Sequence, residues 1–153
     1  MKKTLLTTAF TLLSLLAFSQ TTVKTEFKAK LSCSQKYGLT TTDGDFVLTV
    51  TYDDETIKFN TSEGQTMTTY TVAKKTDKYV IGKDASGNYS FYDIKKKQFF
   101  YIDYFMSRYT TAGYGAGYSV AKQTVLKMMD LLKEGKTQKD VIQHLVSQTE
   151  YDF

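Results

Sequence analysis

The chain has 153 residues, a formal net charge of +4 at pH 7, 12 Tyr and 10 Phe, and neither Trp nor Pro. A chain of this length forms one ordinary domain that can bury its own core. Its single cysteine excludes an internal disulfide, so stability must come from packing. The tyrosine content and the absence of proline favour β-sheet.

The first residues have the order of a secretory signal peptide. Two lysines precede an apolar run from Leu5 to Phe18, and Ser19 supplies a small residue at the cleavage position. The run of about fourteen residues is shorter than the roughly twenty that a spanning helix needs. The sequence Ala17-Phe18-Ser19-Gln20 also resembles the cleavage region of exported Bacteroidetes proteins. We therefore predict a signal peptide at 1–19 and a secreted or periplasmic domain at 20–153.

The middle of the mature chain alternates between apolar and polar residues, as half-buried strands do. Val23 to Cys33 shows the alternation most clearly, and a second clear strand is expected from Asp45 to Tyr52 after an Asp43-Gly44 hairpin turn. Further strands are predicted near 57–59, 67–73, 79–81, 89–94 and 98–106. Connections this short require antiparallel pairing. The expected fold class is α+β, mainly β: an antiparallel meander of seven or eight strands, either an open sheet or barrel-like.

Helical spacing replaces the alternation near the C-terminus, where we expect helices near 119–134 and 137–148. Both are amphipathic, and Thr137 with Asp140 resembles a capping pair. The segment from Leu131 to Leu145 resembles the opening of the helix-turn-helix of LuxR-type regulators. A recognition helix would have to follow. Only Ser147 to Phe153 remain for it, behind an export signal, so we predict a helical hairpin and no nucleic-acid partner.

The segment Gly113-Tyr114-Gly115-Ala116-Gly117-Tyr118 is the most individual stretch of the chain. Its GxGxG spacing does not match a dinucleotide-binding fingerprint. One interpretation is a flexible connection from strand to helix. The other is a binding loop whose glycines allow tyrosine rings to contact a partner or a sugar. On the second interpretation the predicted binding residues are Tyr104, Arg108, Tyr109, Tyr114 and Tyr118.

No residue pattern predicts a catalytic, metal or cofactor site. Cys33 continues an apolar alternation and is expected in the core, while His144 falls on the polar side of its helix. The acidic turns near Asp43 and Asp53 could supply oxygen ligands to Ca²⁺, but they lack the spacing of an EF-hand loop.

These features together predict a small exported non-enzymatic binding or interaction protein of the bacterial envelope or exterior. Its partner would be an envelope component, a protein or a small ligand, and no membrane span would remain after signal cleavage. One alternative is a lipocalin-like carrier of a small apolar ligand, although the early tryptophan of that family is missing. Another is a hydrolase that acts on glycans or envelope material through surface carboxylates.

Overall fold

The computed structural model describes residues 19–62, 68–106, 108–115 and 117–150, with backbone only at residues 105, 118–120 and 150. Of the predicted signal peptide, residues 1–18 lie outside the described ranges. Eight strands precede two helices. Their bounds are β1 Thr21–Ser34, β2 Gly38–Tyr52, β3 Thr56–Thr61, β4 Thr68–Lys75, β5 Tyr79–Lys83, β6 Tyr89–Asp93, β7 Gln98–Phe105, β8 Arg108–Gly115, α1 Tyr118–Lys133 and α2 Gln138–Glu150.

The eight strands form a closed antiparallel barrel in sequence order. Each strand pairs with the next one, and β1 returns to pair with β8 over four residue pairs, from Leu31↔Gly113 to Ser34↔Thr110. The prediction of an antiparallel meander followed by a helical hairpin is confirmed. Of the two forms left open by the sequence, the barrel is the one adopted.

The predicted hairpin turn at Asp43-Gly44 is wrong, because β2 runs through it without interruption. The β1–β2 register passes from Phe27↔Phe46 to Ala29↔Asp43, which leaves two residues of β2 facing one of β1. This is a β-bulge, and a glycine suits it. A Cβ on Gly44 would lie 2.9 Å from the Phe46 ring, so the ring packs directly on the glycine.

The end of the meander also differs from the prediction. Residues 108–115 form β8, the strand that closes the barrel, where the sequence suggested a flexible connection around Gly113. A Cβ on Gly113 would lie 2.8 Å from Phe100 Cε1 and 2.9 Å from Val125 Cγ2. Gly115 has φ +126°, a backbone conformation that side chains rarely adopt. These glycines therefore permit close packing inside a strand and do not mark a mobile loop.

Two apolar clusters divide the core. In β5, β6 and β7 neighbouring residues point to opposite faces, so that Val80, Tyr92 and Phe99 join an inner cluster built of strand residues only. Their neighbours pack against the helices. This outer cluster contains Ile81, Phe91, Phe100, Val125, Met128, Leu132, Val141 and Leu145. The helices thus cover the outside of the barrel wall.

Cys33 lies in the outer cluster, as the sequence predicted for a small core residue. It is buried, and burial raises the pKa of its thiol. Within the described ranges, neither helix is long and apolar enough to span a bilayer.

Candidate functional site

Antiparallel order brings alternate connections to one end of the barrel. The last residues of β1, β3, β5 and β7 and the first residues of β2, β4, β6 and β8 lie there, and we call this the upper end. Two hydrogen bonds join the β1–β2 connection to the beginning of β8. Gln35 N–H donates to the Tyr109 carbonyl at 3.3 Å, and Tyr109 N–H donates to Gln35 Oε1 at 3.2 Å.

The structure separates the five predicted binding residues. Tyr104, Arg108 and Tyr109 lie at the upper end, where β7 turns into β8. Tyr114 lies inside the barrel, in the inner cluster. Tyr118 begins α1, and its side chain lies outside the described part of the chain.

The β7–β8 hairpin presents an aromatic pair. Tyr104 and Tyr109 are directly opposite each other, with ring centroids 5.1 Å apart and planes at 53°. Tyr109 is half-buried against the outer cluster, whereas Tyr104 is 45% exposed. Arg108 is exposed beside them. A tilted pair of this kind is a rigid contact surface with one ring available to a partner.

Three large apolar side chains are exposed in the described residues, and all three lie at the upper end. They are Tyr37 at 72%, Tyr104 at 45% and Met106 at 78%. We call these two tyrosines and the methionine together the aromatic surface. Lys36 Nζ lies 4.7 Å from the centroid of the Tyr37 ring, which places a positive charge at its border.

A cavity of about 200 Å³ is lined by strand ends that meet at the upper end. Its lining includes Phe59, Thr61, Tyr70, Tyr101, Asp103 and Tyr114. Phe59, Tyr70 and Tyr114 belong to the inner cluster, so the cavity is set into the barrel interior.

The aromatic rings at this cavity cover one another. Phe59 stacks on Tyr101 and Tyr114 at 5.8 Å each and on Tyr70 at 6.3 Å, with interplanar angles of 26° to 29°. The Tyr101 and Tyr114 hydroxyl oxygens are 3.4 Å apart. These rings therefore pack against one another, and the hydroxyl groups of Tyr101 and Tyr114 contact each other.

The buried tyrosines at this site are neutral at physiological pH. Burial raises the pKa of Tyr70, and the nearby Tyr101, Asp84 and Asp103 raise it further. Burial also raises the pKa of Tyr101, against the opposing effect of its hydrogen bond with Tyr114. Their hydroxyl groups can consequently donate hydrogen bonds as well as accept them.

One polar atom at the cavity has no partner among the described residues. It is Thr61 Oγ1, and Thr61 lines the cavity. Thr61 is only 2% exposed. A buried polar atom without a partner is costly unless a water or another bound molecule supplies the hydrogen bond.

A second opening lies between the helices and the barrel. It has a volume of about 330 Å³, and its lining includes His144, Lys127, Asp93 and Lys96. His144 is half-buried there and does not lie on the fully solvated surface that the sequence suggested. Asp93 is engaged locally, since its Oδ1 accepts the Lys96 N–H at 2.8 Å.

The acidic turns singled out in the sequence have structural partners. Asp53 Oδ1 accepts the N–H groups of Glu55 and Thr56 at 2.8 and 2.7 Å, and these bonds lower the pKa of Asp53. Asp45 forms an ion pair with Lys28 across the β1–β2 pair. Both carboxylates thus stabilise local structure at these positions.

The sequence did not single out Phe59, Thr61, Tyr70, Tyr101 or Asp103. Two of them carry a signal that could have found the cavity. Thr61 and Asp103 are polar residues that continue inward-facing alternations, after Phe59 and Tyr101 respectively. When the inward-facing positions of a strand are apolar and the last one is polar, the polar residue indicates a polar space at that end of the barrel.

The chain matches no protein-family model, and searches of the curated proteins and of the solved structures found nothing similar enough to count as a match.

Proposed function

We propose that the mature chain is an exported non-enzymatic binding protein of the bacterial envelope or exterior, which holds its partner at the upper end of the barrel. The observation that carries this proposal is the aromatic surface. Its three members are the large apolar residues most exposed in the described ranges, and all three lie at one end of the barrel, Tyr37 and Met106 in connections and Tyr104 near the end of β7. Concentrated exposed apolar residues are a common feature of interaction sites.

The residue types at this end support the same proposal. Tyrosine, methionine and arginine are enriched at protein interfaces, and Tyr37, Tyr104, Met106 and Arg108 supply all three. The residues are also held in place, because the Gln35–Tyr109 bonds fix the β1–β2 connection to the beginning of β8. A preorganised surface loses little entropy when it binds.

A lipocalin-like carrier has less support than a surface-binding protein. Rings fill the inside of the barrel: Phe59 and Phe99 are stacked at 4.3 Å, and Tyr52 and Tyr92 are tilted against each other with centroids 5.8 Å apart. Carriers of apolar ligands need an apolar cavity, and drug-sized pockets hold roughly 300–1,000 Å³. The upper-end cavity, at about 200 Å³, is smaller and is lined by polar groups as well.

Export is tested first, by intact-mass analysis of the protein recovered from the cells that produce it. The proposal expects a chain that begins at Gln20 and is found outside the cytoplasm. An unprocessed chain recovered from the cytoplasm would contradict the proposal.

Binding is tested by sedimentation of the purified mature chain with envelope preparations from the same bacterium. A variant with Tyr37→Ser, Tyr104→Ser and Met106→Ser should lose most of the sedimented fraction, because the three substitutions remove the exposed apolar area. These side chains are exposed, so the variant should fold normally.

The matched control carries three serine substitutions at the opposite end of the barrel, Glu55→Ser, Lys78→Ser and Lys95→Ser, all at exposed positions. It should sediment like the unsubstituted chain. Equal loss in both variants, or no sedimentation of the unsubstituted chain, would refute the proposed role of the aromatic surface.

A further inference from the structure

We propose that the upper-end cavity binds one polyhydroxylated ring, either a free monosaccharide or the sugar residue that ends a glycan. This inference rests on the proposed function, because it names the class of ligand that the upper end holds. It starts from Thr61, whose Oγ1 is buried without a partner in the described residues and lies on the inward register of β3.

The polar groups of the cavity match a polyol better than an ion. Neutral tyrosines and threonines both donate and accept hydrogen bonds, and sugar hydroxyls do the same. An anion would meet the carboxylates of Asp84 and Asp103, which also line the cavity.

A cation is disfavoured for a different reason. The lining holds two carboxylates, those of Asp84 and Asp103. Asp84 is already engaged, since its two oxygens accept the backbone N–H and the side-chain amide of Asn88 at 2.8 and 3.1 Å. Apart from Asp103, the remaining polar side chains of the lining are neutral hydroxyls and amides.

Size and position agree with this ligand class. A volume of about 200 Å³ is that of roughly seven waters at about 30 Å³ each, which suits one small ring. Because the cavity lies at the same end as Tyr37 and Tyr104, a sugar bound in it could continue into a glycan that those rings contact. Aromatic rings are suitable surfaces for the apolar faces of sugars.

The test is an amide-shift titration of the ¹⁵N-labelled mature chain with glucose, galactose, mannose and N-acetylglucosamine, each added separately. Ethylammonium chloride serves as the cationic probe. We expect at least one sugar to give saturable shifts at the amides of Thr61, Tyr70 and Asp103. The inference is refuted if no sugar shifts these amides at about 50 mM, which leaves water as the occupant, or if only ethylammonium does so.

Thr61→Val replaces the unpartnered hydroxyl with a methyl group of similar size. We expect it to fold and to weaken sugar binding about fivefold, as loss of one hydrogen bond would. Tyr92→Phe is the matched control, because Tyr92 Oη is another buried atom without a partner in the described residues, but it does not line the cavity. It should bind as the unsubstituted chain does. An unchanged affinity in Thr61→Val, or an equal loss in both variants, would overturn the inference.

Tyr101→Phe provides a second variant should Thr61→Val fail to fold. It removes one cavity hydroxyl and the 3.4 Å contact with Tyr114 while it keeps the stacked ring. The sugar affinity should again fall severalfold, and an unchanged affinity would count against the site.

The source of the sugar is decided by a disaccharide that carries the binding sugar at its non-reducing end. Binding at least as tight as that of the free sugar identifies a glycan end, and binding of the free sugar alone identifies a free metabolite. Tyr104→Ser should weaken only the disaccharide. Sugar shifts without envelope sedimentation would refute the proposed function alone, and sedimentation without sugar shifts would refute this inference alone.

Discussion

Replacing Gly113 with alanine tests whether this glycine serves packing or loop mobility. Its φ lies outside the positive range that disfavours side chains, so alanine meets no backbone strain there. The new methyl group would instead lie 2.8 Å from Phe100 Cε1 and 2.9 Å from Val125 Cγ2. Phe100 belongs to β7 and Val125 to α1, and both are buried in the outer cluster. The clash therefore falls where the helix packs on the barrel wall.

Overpacking of this kind costs about 1–3 kcal/mol. With an unfolding entropy of about 2.1 cal/mol/K per residue and about 134 residues from Gln20 onward, each kcal/mol lowers Tm by about 4 °C. Thermal unfolding of Gly113→Ala followed by circular dichroism should thus show a Tm lower by about 4–11 °C. In a mobile loop the same substitution would leave Tm unchanged or raise it, because alanine restricts the unfolded chain. The sign of the change separates the two interpretations.

A second substitution makes the test specific to the clash. Val125→Ala removes the methyl group that the new Cβ would contact, so Gly113→Ala should cost less in that background than in the unsubstituted chain. This coupling is measured as a double-mutant cycle in free energy of unfolding. A Tm for Gly113→Ala equal to or above that of the unsubstituted chain, or a zero coupling with Val125→Ala, would refute the packing role.

Three further outcomes follow from the same structure. Gly115→Ala should yield little folded protein in soluble-expression and circular-dichroism assays, because φ is +126° and the new Cβ would fall against the Lys97 carbonyl oxygen. The bonds from Thr137 lower the pKa of Asp140 in the folded state, so this carboxylate stabilises the fold above the ordinary carboxyl pKa and loses its effect as the pH falls through the lowered value. Asp140→Asn should accordingly be less stable than the unsubstituted chain at pH 7, and urea titrations should show the difference shrinking below about pH 4. The Cys33 thiol should resist Ellman's reagent until the chain is unfolded, since it is buried and its pKa is raised; rapid labelling under native conditions would contradict its placement.

The sequence predicts most of the barrel because alternation is a local property. Val23 to Cys33 and Phe46 to Tyr52 carry it plainly, and the structure places strands at both. The errors occur at glycines. Gly44 resembles a turn residue and lies in a bulge, and Gly113 resembles a loop residue and lies in a closing strand. A glycine can be required because a neighbouring side chain packs where its Cβ would be, or because the backbone has a positive φ. The sequence alone does not distinguish these two cases, because the neighbours in space are not known from it.

The candidate site was harder to predict than the fold, for a reason that lies in β5, β6 and β7. These strands are buried on both faces, with Phe99 in the inner cluster and Phe100 in the outer one, so the alternation that would mark an inward position disappears. Asp103 faces the same side as Phe99 only because both lie on alternate positions of β7. Asp103 comes close to Thr61 only because the barrel closes, which brings both residues to the lining of one cavity. The tyrosines of the hairpin could be proposed from residue type alone. The polar lining of the cavity could not, because it exists only where ends of several strands meet.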